Sequence, residues 1–470
     1  MTLSGPRPIG TVLIANRGEI ALRIARTCRE LGIRTVAVYS TVDRDSAVVE
    51  YADAAVAIGP GPARQSYLYA PSILEAAVAH GVDAIHPGYG FLSEDPDFAQ
   101  ACAELGIGFV GPSPSVMHAL GDKAEARALM VAAGLPVLPG SDGAVRTASD
   151  AQRVADRIGY PLVIKAVAGG GGRGIAVVHH AADLIETFRR TSAFARQVFG
   201  NGAVYLERFV SSARHVEVQL LCDEHGTAVH LGERDCSLQR RNQKLVEESP
   251  APALPEEVRA AVGEYAVRAA RHLGYVGAGT MELLVGPAGD VTFMEINARI
   301  QVEHPVTEVC TGVDLVREQL RIAAGLTLPF TQDDIEPRGA AIECRVNAED
   351  TEAGFRPTPG LLERFRPPSG PGIRVDSGFR EGDRVPPTYD SLIAKLIVWA
   401  PDREQAIART ERALAEFVVE GPGVRTTIPL LRRLVTHPSF VAATHSTRFV
   451  DEYMAGREPT VWAAESAPVA

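Results

Sequence analysis

Over its first third the chain alternates short apolar runs with amphipathic stretches. "GTVLIAN" precedes a helical pattern over 19–31, "RTVAVYS" and "AAVAIG" precede one over 70–80, and "VDAIHPGYG" precedes one over 96–106 before "GFVG". Apolar runs of strand length separated by segments long enough for crossover helices predict a parallel sheet. The first turn, "ANRGEIA", has a single glycine where a dinucleotide fingerprint needs three, so a nicotinamide site is not supported. Turn-rich "GLPVLPGSDG" follows a helical segment over 121–133 and marks a boundary. After a small unit containing "YPLVIKAVAGGGGRGIAVVHH" and "VYLERFV", the pattern becomes strand-rich from Arg214, around a helix expected over 256–273. Strands at hairpin spacing there suggest a mixed antiparallel sheet. A Pro/Gly-rich stretch then leads to "SLIAKLIVWA" and a helix over 403–417.

Charge and cysteine usage narrow the function classes. A formal net charge of -11 argues against sequence-independent binding of nucleic acid or an anionic membrane, so an anionic ligand must meet a local basic cluster. Six cysteines are scattered without a CxxC pair, which suggests neither a zinc site nor a disulfide framework and fits a reduced cytoplasm. The opening "MTLSGPRPIG" lacks an apolar signal core, and no apolar run approaches the ~18 residues of a membrane span. A soluble, cytoplasmic protein is expected.

Four stretches carry chemistry. In "MEINARIQVEHPV", read as one strand, Glu295, Asn297, Arg299, Gln301 and Glu303 share a face, while Met294, Ile296, Ala298, Ile300 and Val302 share the other. Glu and Asn are depleted on ordinary strand surfaces, so a solvated edge explains this row poorly. In "KAVAGGGGRG", four glycines, costly to order, lie between two apolar strands, either as a floppy surface loop or as a hairpin flap whose backbone N–H groups can close over phosphates. Lys165 and Lys123 would add compact positive charge. "GTMEL" places Glu282 on a strand joined to that of Glu295 by "VGPAGD"; with Asn297 the pair forms an oxygen-rich site suited to magnesium, a reading the glycine flap favours over the alternative of cross-strand salt-bridge partners. "ERDCSLQRRNQKLVEE" concentrates Arg234, Arg240, Arg241 and Lys244, either a solvated face or a receiver of small anions.

Together, "IANRGEIALRIART", "HPGYGFLSE", "GDK", "IKAVAGGGGRG", "RDCSLQRRNQK", "MEINARIQVEHPVTE", "GVDLVREQL" and "ECRVNAED" closely resemble biotin carboxylase, in order from about residue 9 to residue 454. The resemblance implies an α/β ATP-grasp fold in three parts. These are a Rossmann-like pre-grasp domain over 1–122, linker helices and a mobile lid with the glycine loop over 123–210, and a mixed-sheet domain over 211–455, with a frayed tail over 456–470. It implies an ATP-dependent ligase that attaches bicarbonate-derived CO2 to biotin, the first half-reaction of an acyl-CoA carboxylase.

By that resemblance, Lys123, Lys165 and the loop glycines Gly170, Gly171 and Gly172 hold ATP phosphates. Glu207, Arg208 through its backbone, His215, Gln239, Asn242 and Leu284 lie around the nucleotide. Glu282, Glu295 and Asn297 correspond to the magnesium or manganese site. Lys244, Arg299, Gln301 and the Val302 backbone match the bicarbonate pocket, Glu303 its base, and Tyr89 and Arg345 the biotin contacts. Asn242 stands where a histidine is common, Ala168 shortens the usual glycine run by one, and Arg208 replaces a frequent lysine. None of the six methionines is followed by lysine, so the Met-Lys-Met biotin acceptor is missing and biotin is expected on a separate carrier protein, with carboxyltransferase subunits as further partners. A homodimer through the first helix is also implied, with Arg26, Glu30 and Arg374 as candidate contacts. A different ATP-grasp ligase would lack the row from Arg299 to Glu303, and a regulatory nucleotide binder would not need Glu303, Lys244 and Arg345 together.

Overall fold

The computed structural model describes residues 5–167, 174–210 and 212–462. The apolar runs of the first third form β1 (Thr11–Ile14), β2 (Arg34–Ser40), β3 (Ala54–Gly59), β4 (Ala84–His86) and β5 (Gly108–Phe109), all parallel and ordered β3-β2-β1-β4-β5. Crossovers include α1 (Gly18–Glu30), α2 (Ala70–Ala79) and α3 (Pro96–Glu104). On α1, Ile20, Ala21, Ile24 and Ala25 recur at helical spacing and are buried, which seats the helix on the sheet. The order reverses between β1 and β4, the place in such sheets where a crevice opens beyond the strand ends. A cavity of about 190 Å³ lies there, lined by Asn16 to Glu19, Tyr89 to Phe91, Asp390 and Leu392.

After α4 (Lys123–Ala132), a small unit pairs β6 (Leu162–Ala166) with β7 (Ile175–Val178) and β8 (Val204–Arg208), all antiparallel. The helices α5 (Ala148–Ile158) and α6 (Leu184–Phe199) cover this sheet through Ala151, Ala155, Leu184 and Phe188. Thr147 caps the first of them by accepting from the Asp150 amide, and Gly159 ends it at φ 75, a conformation that glycine adopts freely. The glycine stretch links β6 to β7, as a hairpin requires; Gly170, Gly171 and Gly172 themselves lie outside the described residues.

The remainder builds an eight-stranded antiparallel sheet from β9 (Arg214–Cys222), β10 (Ala228–Arg240), β11 (Gln243–Ser249), β12 (Gly277–Val285), β13 (Val291–Asn297), β14 (Ala340–Asn347), β15 (Ile373–Ser377) and β16 (Leu392–Ala400), in the order β13-β12-β9-β10-β11-β14-β16-β15. Helix α7 (Glu256–Leu273) packs Val262, Ala266 and Ala269 on Val218 and Leu220. Helix α8 (His304–Thr311) places Val306 and Cys310 against Ala341 and Ile397, and α9 (Leu315–Ala323) joins α1 in a second core.

Two expectations are corrected. The strand expected to run through Val306 stops at Asn297, because Pro305 occupies the first turn of α8 and the chain between them is pinned by contacts to Glu94. The polar row therefore continues along a loop into a helix start. Of the tail expected to fray over 456–470, the part up to Trp462, 1% exposed, instead turns back onto the sheet, and 463–470 lie outside the described residues. All six cysteines are free and buried, and among the described residues no helix is long and apolar enough to cross a membrane.

Candidate active site

Strand β9 is buried along its whole length, yet only one of its faces is apolar. Val216, Val218 and Leu220 alternate with His215, Glu217 and Gln219, which face the other side. Register extends that polar face across the sheet, since Glu295 opposes Glu282, Glu282 opposes Glu217, and Glu217 opposes Arg234. Buried charges persist only when paired and hydrogen-bonded. Arg234 meets that demand with Nε 2.6 Å from Glu217, Nη1 2.8 Å from Gln219 and 2.9 Å from Thr307 Oγ1, and Nη2 3.3 Å from Thr280 Oγ1.

Lys244 and Arg345 converge on Glu303. Lys244 Nζ, from β11, donates to Glu217 at 2.6 Å, Glu282 at 3.0 Å and Glu303 Oε1 at 2.6 Å. Arg345, from β14, donates to Glu247 at 2.6 Å and through Nη2 to Glu303 Oε2 at 2.8 Å. Glu303 is the N-cap residue of α8 by its backbone, while its carboxylate makes no cap hydrogen bond and is held by the two cations. Burial raises the Glu303 carboxyl, but Lys244, Arg345 and Arg234 outweigh it and hold the group well below the ordinary carboxylate range. Next to it the balance reverses. Burial pushes Glu247 up to about 7 against the pull of Arg345, and holds Glu343, its register partner, well above the usual range despite Lys395. Opposite protonation tendencies in neighbouring carboxyls are the mark of a site that handles protons.

The loop after β13 lines up the rest of the expected row. Arg299 Nε donates to Glu94 at 2.8 Å, and its Nη atoms reach Gln301 Oε1 at 2.8 Å and Asn297 Oδ1 at 3.2 Å. Gln301 Nε2 lies 3.5 Å from Glu282, and the Val302 carbonyl accepts from the buried Lys395 ammonium at 2.7 Å. Lys395 is also 3.0 Å from Glu19, which accepts from the Tyr89 hydroxyl, so the loop is tied to the cavity beyond β1 and β4.

The nucleotide-side residues border this row. Lys123 Nζ donates to Glu295 at 3.0 Å, and Lys165 pairs with Glu207. His215 Nε2 is 3.2 Å from Glu282; burial lowers this imidazole, and Glu282 more than compensates. Leu284 opposes His215 in register. Gln239 opposes Lys244. Asn242 occupies the two-residue turn between Arg240 and Gln243 at φ 65, where asparagine is tolerated better than most residues. The Arg208 amide is committed to the Pro139 carbonyl at 2.8 Å. The basic cluster does not act as one patch: Arg234 is core, Arg240 pairs with Asp451 at 2.6 Å, Arg241 is exposed in the turn, and only Lys244 faces the site. Arg374, a candidate interface residue, is held inside the chain by Glu308 and Asp376, while Arg26 and Glu30 are exposed on α1.

The residues fit a magnesium ion. Glu282 and Glu295 stand opposite each other with Asn297 two residues on, all on one face, supplying the hard oxygen ligands such an ion takes. Each carboxylate is balanced by a lysine, Lys244 or Lys123, as an acidic pair this close requires. The convergent trio His215, Glu217 and Glu282, with ligand atoms within 4.8 Å, already receives the Lys244 ammonium on two of its members.

Three family descriptions match the chain in succession: "Biotin carboxylase, N-terminal domain" over residues 8–117, "Carbamoyl-phosphate synthase L chain, ATP binding domain" over 122–331, and "Biotin carboxylase C-terminal domain" over 343–452. Biotin carboxylase of Nostoc sp. is 52% identical over 441 residues, 94% of this chain and 98% of that protein. The chain belongs to the biotin carboxylase family. It is an ATP-dependent ligase of the ATP-grasp fold that carboxylates biotin. The biotin carboxylase domain dimer of Hydrogenobacter thermophilus 2-oxoglutarate carboxylase, solved with MgADP, ADP and bicarbonate, is 47% identical with a TM-score of 0.92, covering 95% of this chain and 98% of that one. Pyruvate carboxylase of Rhizobium etli is 42% identical with a TM-score of 0.90, covering 94% of this chain and 40% of that much longer one. Relatives thus act as parts of carboxylase assemblies.

Sequence reading of this chain missed Glu217, Glu247, Glu343 and Lys395, all buried and all touching or backing the site. One signal was present: "HVEVQ" alternates polar with apolar residues in a strand long enough to be central, and polar side chains on a buried strand need a partner. Glu94, which holds Arg299 and the Ala298 amide, had no such signal.

Proposed function

We propose that this chain carboxylates biotin in a cytoplasmic complex by activating bicarbonate on Glu303, with Lys244, Arg299, Gln301 and the Val302 backbone holding the anion. The observation that carries this reading is the single carboxylate of Glu303 gripped by Lys244 at 2.6 Å and Arg345 at 2.8 Å. Bicarbonate entering beside Arg299 and Gln301 competes for those cations. As it binds, the proton affinity of Glu303 rises and the carboxylate becomes a stronger base. Glu303 takes the bicarbonate proton, a bicarbonate oxygen attacks the γ-phosphorus of ATP, and the bond to the ADP oxygen breaks, giving carboxyphosphate and ADP. Lys123 and Lys165 stabilise charge on the transferring phosphoryl group. Magnesium or manganese held by Glu282, Glu295 and Asn297 would neutralise phosphate charge.

Carboxyphosphate then splits into CO2 and phosphate inside the closed site. Phosphate removes the ureido N–H proton of biotin, Arg345 holds the resulting enolate oxygen by a charge-assisted hydrogen bond, and the ureido nitrogen attacks CO2. Tyr89 lines the cavity beyond β1 and β4, where the biotinyl arm is proposed to enter. His215, Leu284, Gln239, Asn242, Glu207 and the Arg208 backbone are assigned to the nucleotide, with Gly170, Gly171 and Gly172 over its phosphates. Domain limits at 122 and 210 are proposed to separate the three larger sheets, with the third unit extending past 455 to include Trp462. The biotin is proposed to arrive on a carrier protein and to leave for a carboxyltransferase. Purified protein is expected to hydrolyse ATP with magnesium only when bicarbonate is added, faster with free biotin, and to run as a dimer in light scattering at micromolar concentration. ATPase of equal rate without bicarbonate contradicts the reading of the site, and a monomer contradicts the assembly.

A further inference from the structure

Trp462 covers one end of the β9–β12 pair. Its amide donates to the Thr444 carbonyl at 2.7 Å and its indole Nε1 to the Val285 carbonyl at 3.2 Å. The ring packs with Val216, Ala251, Leu254 and Val285 and lies 5.0 Å from the Arg214 guanidinium carbon. Arg214 is itself locked: Nε donates to Asp235 at 2.8 Å, Nη1 to the Pro252 carbonyl, and His445 Nε2 lies 3.2 Å from the same Asp235 carboxylate. The approach to Trp462 is tied down by Thr460, whose amide and hydroxyl meet Glu452 at 2.6 and 3.0 Å.

Register gives this clamp its meaning. Trp462 touches Arg214 and Val285, which oppose each other at the ends of β9 and β12; the next opposed pair inward is His215 and Leu284. Strand ends fray unless covered, and Val285 is followed at once by the "GPAG" turn. We propose that residues 458–462 form a positioning strap for the nucleotide pocket, in which Trp462 holds the Arg214–Val285 pair and thereby sets where His215 and Leu284 meet the adenosine. The inference rests on the assignment of His215 and Leu284 to the nucleotide. Trp462 is a positioning residue: it acts at the outer end of the strand pair, whereas Lys244 bonds that pair further in, at the opposed residues Glu217 and Glu282.

The strap therefore acts more strongly on the adjacent His215–Leu284 pair, and so on ATP, than on the bicarbonate side. Trp462→Ala is expected to raise the KM for MgATP about 10-fold while kcat at saturating ATP and the KM for bicarbonate stay within about twofold, because small displacements at a binding surface are costly. Trp462→Phe keeps the ring but loses the indole donor, and is expected to raise that KM about threefold. A role in overall stability alone would instead lower the active fraction, reducing kcat with unchanged KM. The chain has two tryptophans, so in a Trp399→Phe background the emission of Trp462 is expected to shift on titration with ADP. His215→Ala separates the two layers of the argument: unchanged ATP affinity there overturns the nucleotide assignment. Weakened affinity in His215→Ala with an unchanged KM for MgATP in Trp462→Ala, or in Trp462→Phe where the alanine variant does not fold, overturns the strap.

Discussion

Glu303→Gln is expected to lower biotin carboxylation by roughly 100-fold or more, the usual worth of a general base, while the KM for MgATP changes by less than about threefold. Glutamine keeps the size of the side chain and one acceptor for Lys244 or Arg345, but it cannot take a proton. Because the wild-type carboxyl is held well below the ordinary range, it stays ionised throughout the neutral region, so loss of the base and not of its protonation state explains the effect. Arg345→Ala separates the halves of the reaction: bicarbonate-dependent ATP cleavage is expected to survive better than carboxyl transfer, since the proposed task of Arg345 follows carboxyphosphate formation. Steady-state assays of phosphate release and carboxybiotin formation on both variants check this. Full activity in Glu303→Gln, or equal loss of nucleotide binding in both, makes the polar row structural.

Arg234→Met is expected to have the largest effect on stability. The guanidinium is fully buried and bonds Glu217, Gln219, Thr307 and Thr280 at once. Removing it leaves Glu217 to share the Lys244 ammonium with Glu282 and Glu303 and strands neutral polar groups, a loss of about 3–5 kcal/mol for an under-compensated buried charge. Adding Glu217→Gln is expected to recover part of that loss, because the residual charge is then gone. Denaturation midpoints of the single and double variants check both statements. An unchanged midpoint in Arg234→Met shows that the arginine is dispensable to the core.

Much of this was legible because it is written locally. The strand-helix rhythm of the first third became the parallel sheet, the helix expected over 256–273 spans Glu256–Leu273, and the alternation read from Met294 to Glu303 holds as strand as far as Asn297. What was not legible depends on pairing between distant segments. Glu247 and Glu343 become neighbours only because β11 pairs with β14, nearly a hundred residues away, and Lys395 reaches Val302 only through α8 lying across that sheet. The row itself was read as one strand to Val306; Pro305 and the anchoring of the Ala298 amide by Glu94 turn it into a loop and a helix cap. That conversion is what allows Glu303 to face both Lys244 and Arg345. Trp462 looked like part of a frayed tail because a single aromatic residue carries no periodicity.

The central claim is that bicarbonate, activated by Glu303, attacks ATP directly. The most direct measurement uses bicarbonate labelled with oxygen-18 and follows the label into the phosphate released during biotin carboxylation. Attack by a bicarbonate oxygen on the γ-phosphorus predicts that each phosphate carries one oxygen from bicarbonate. Phosphate released without label, alongside normal carboxybiotin formation, would contradict the account.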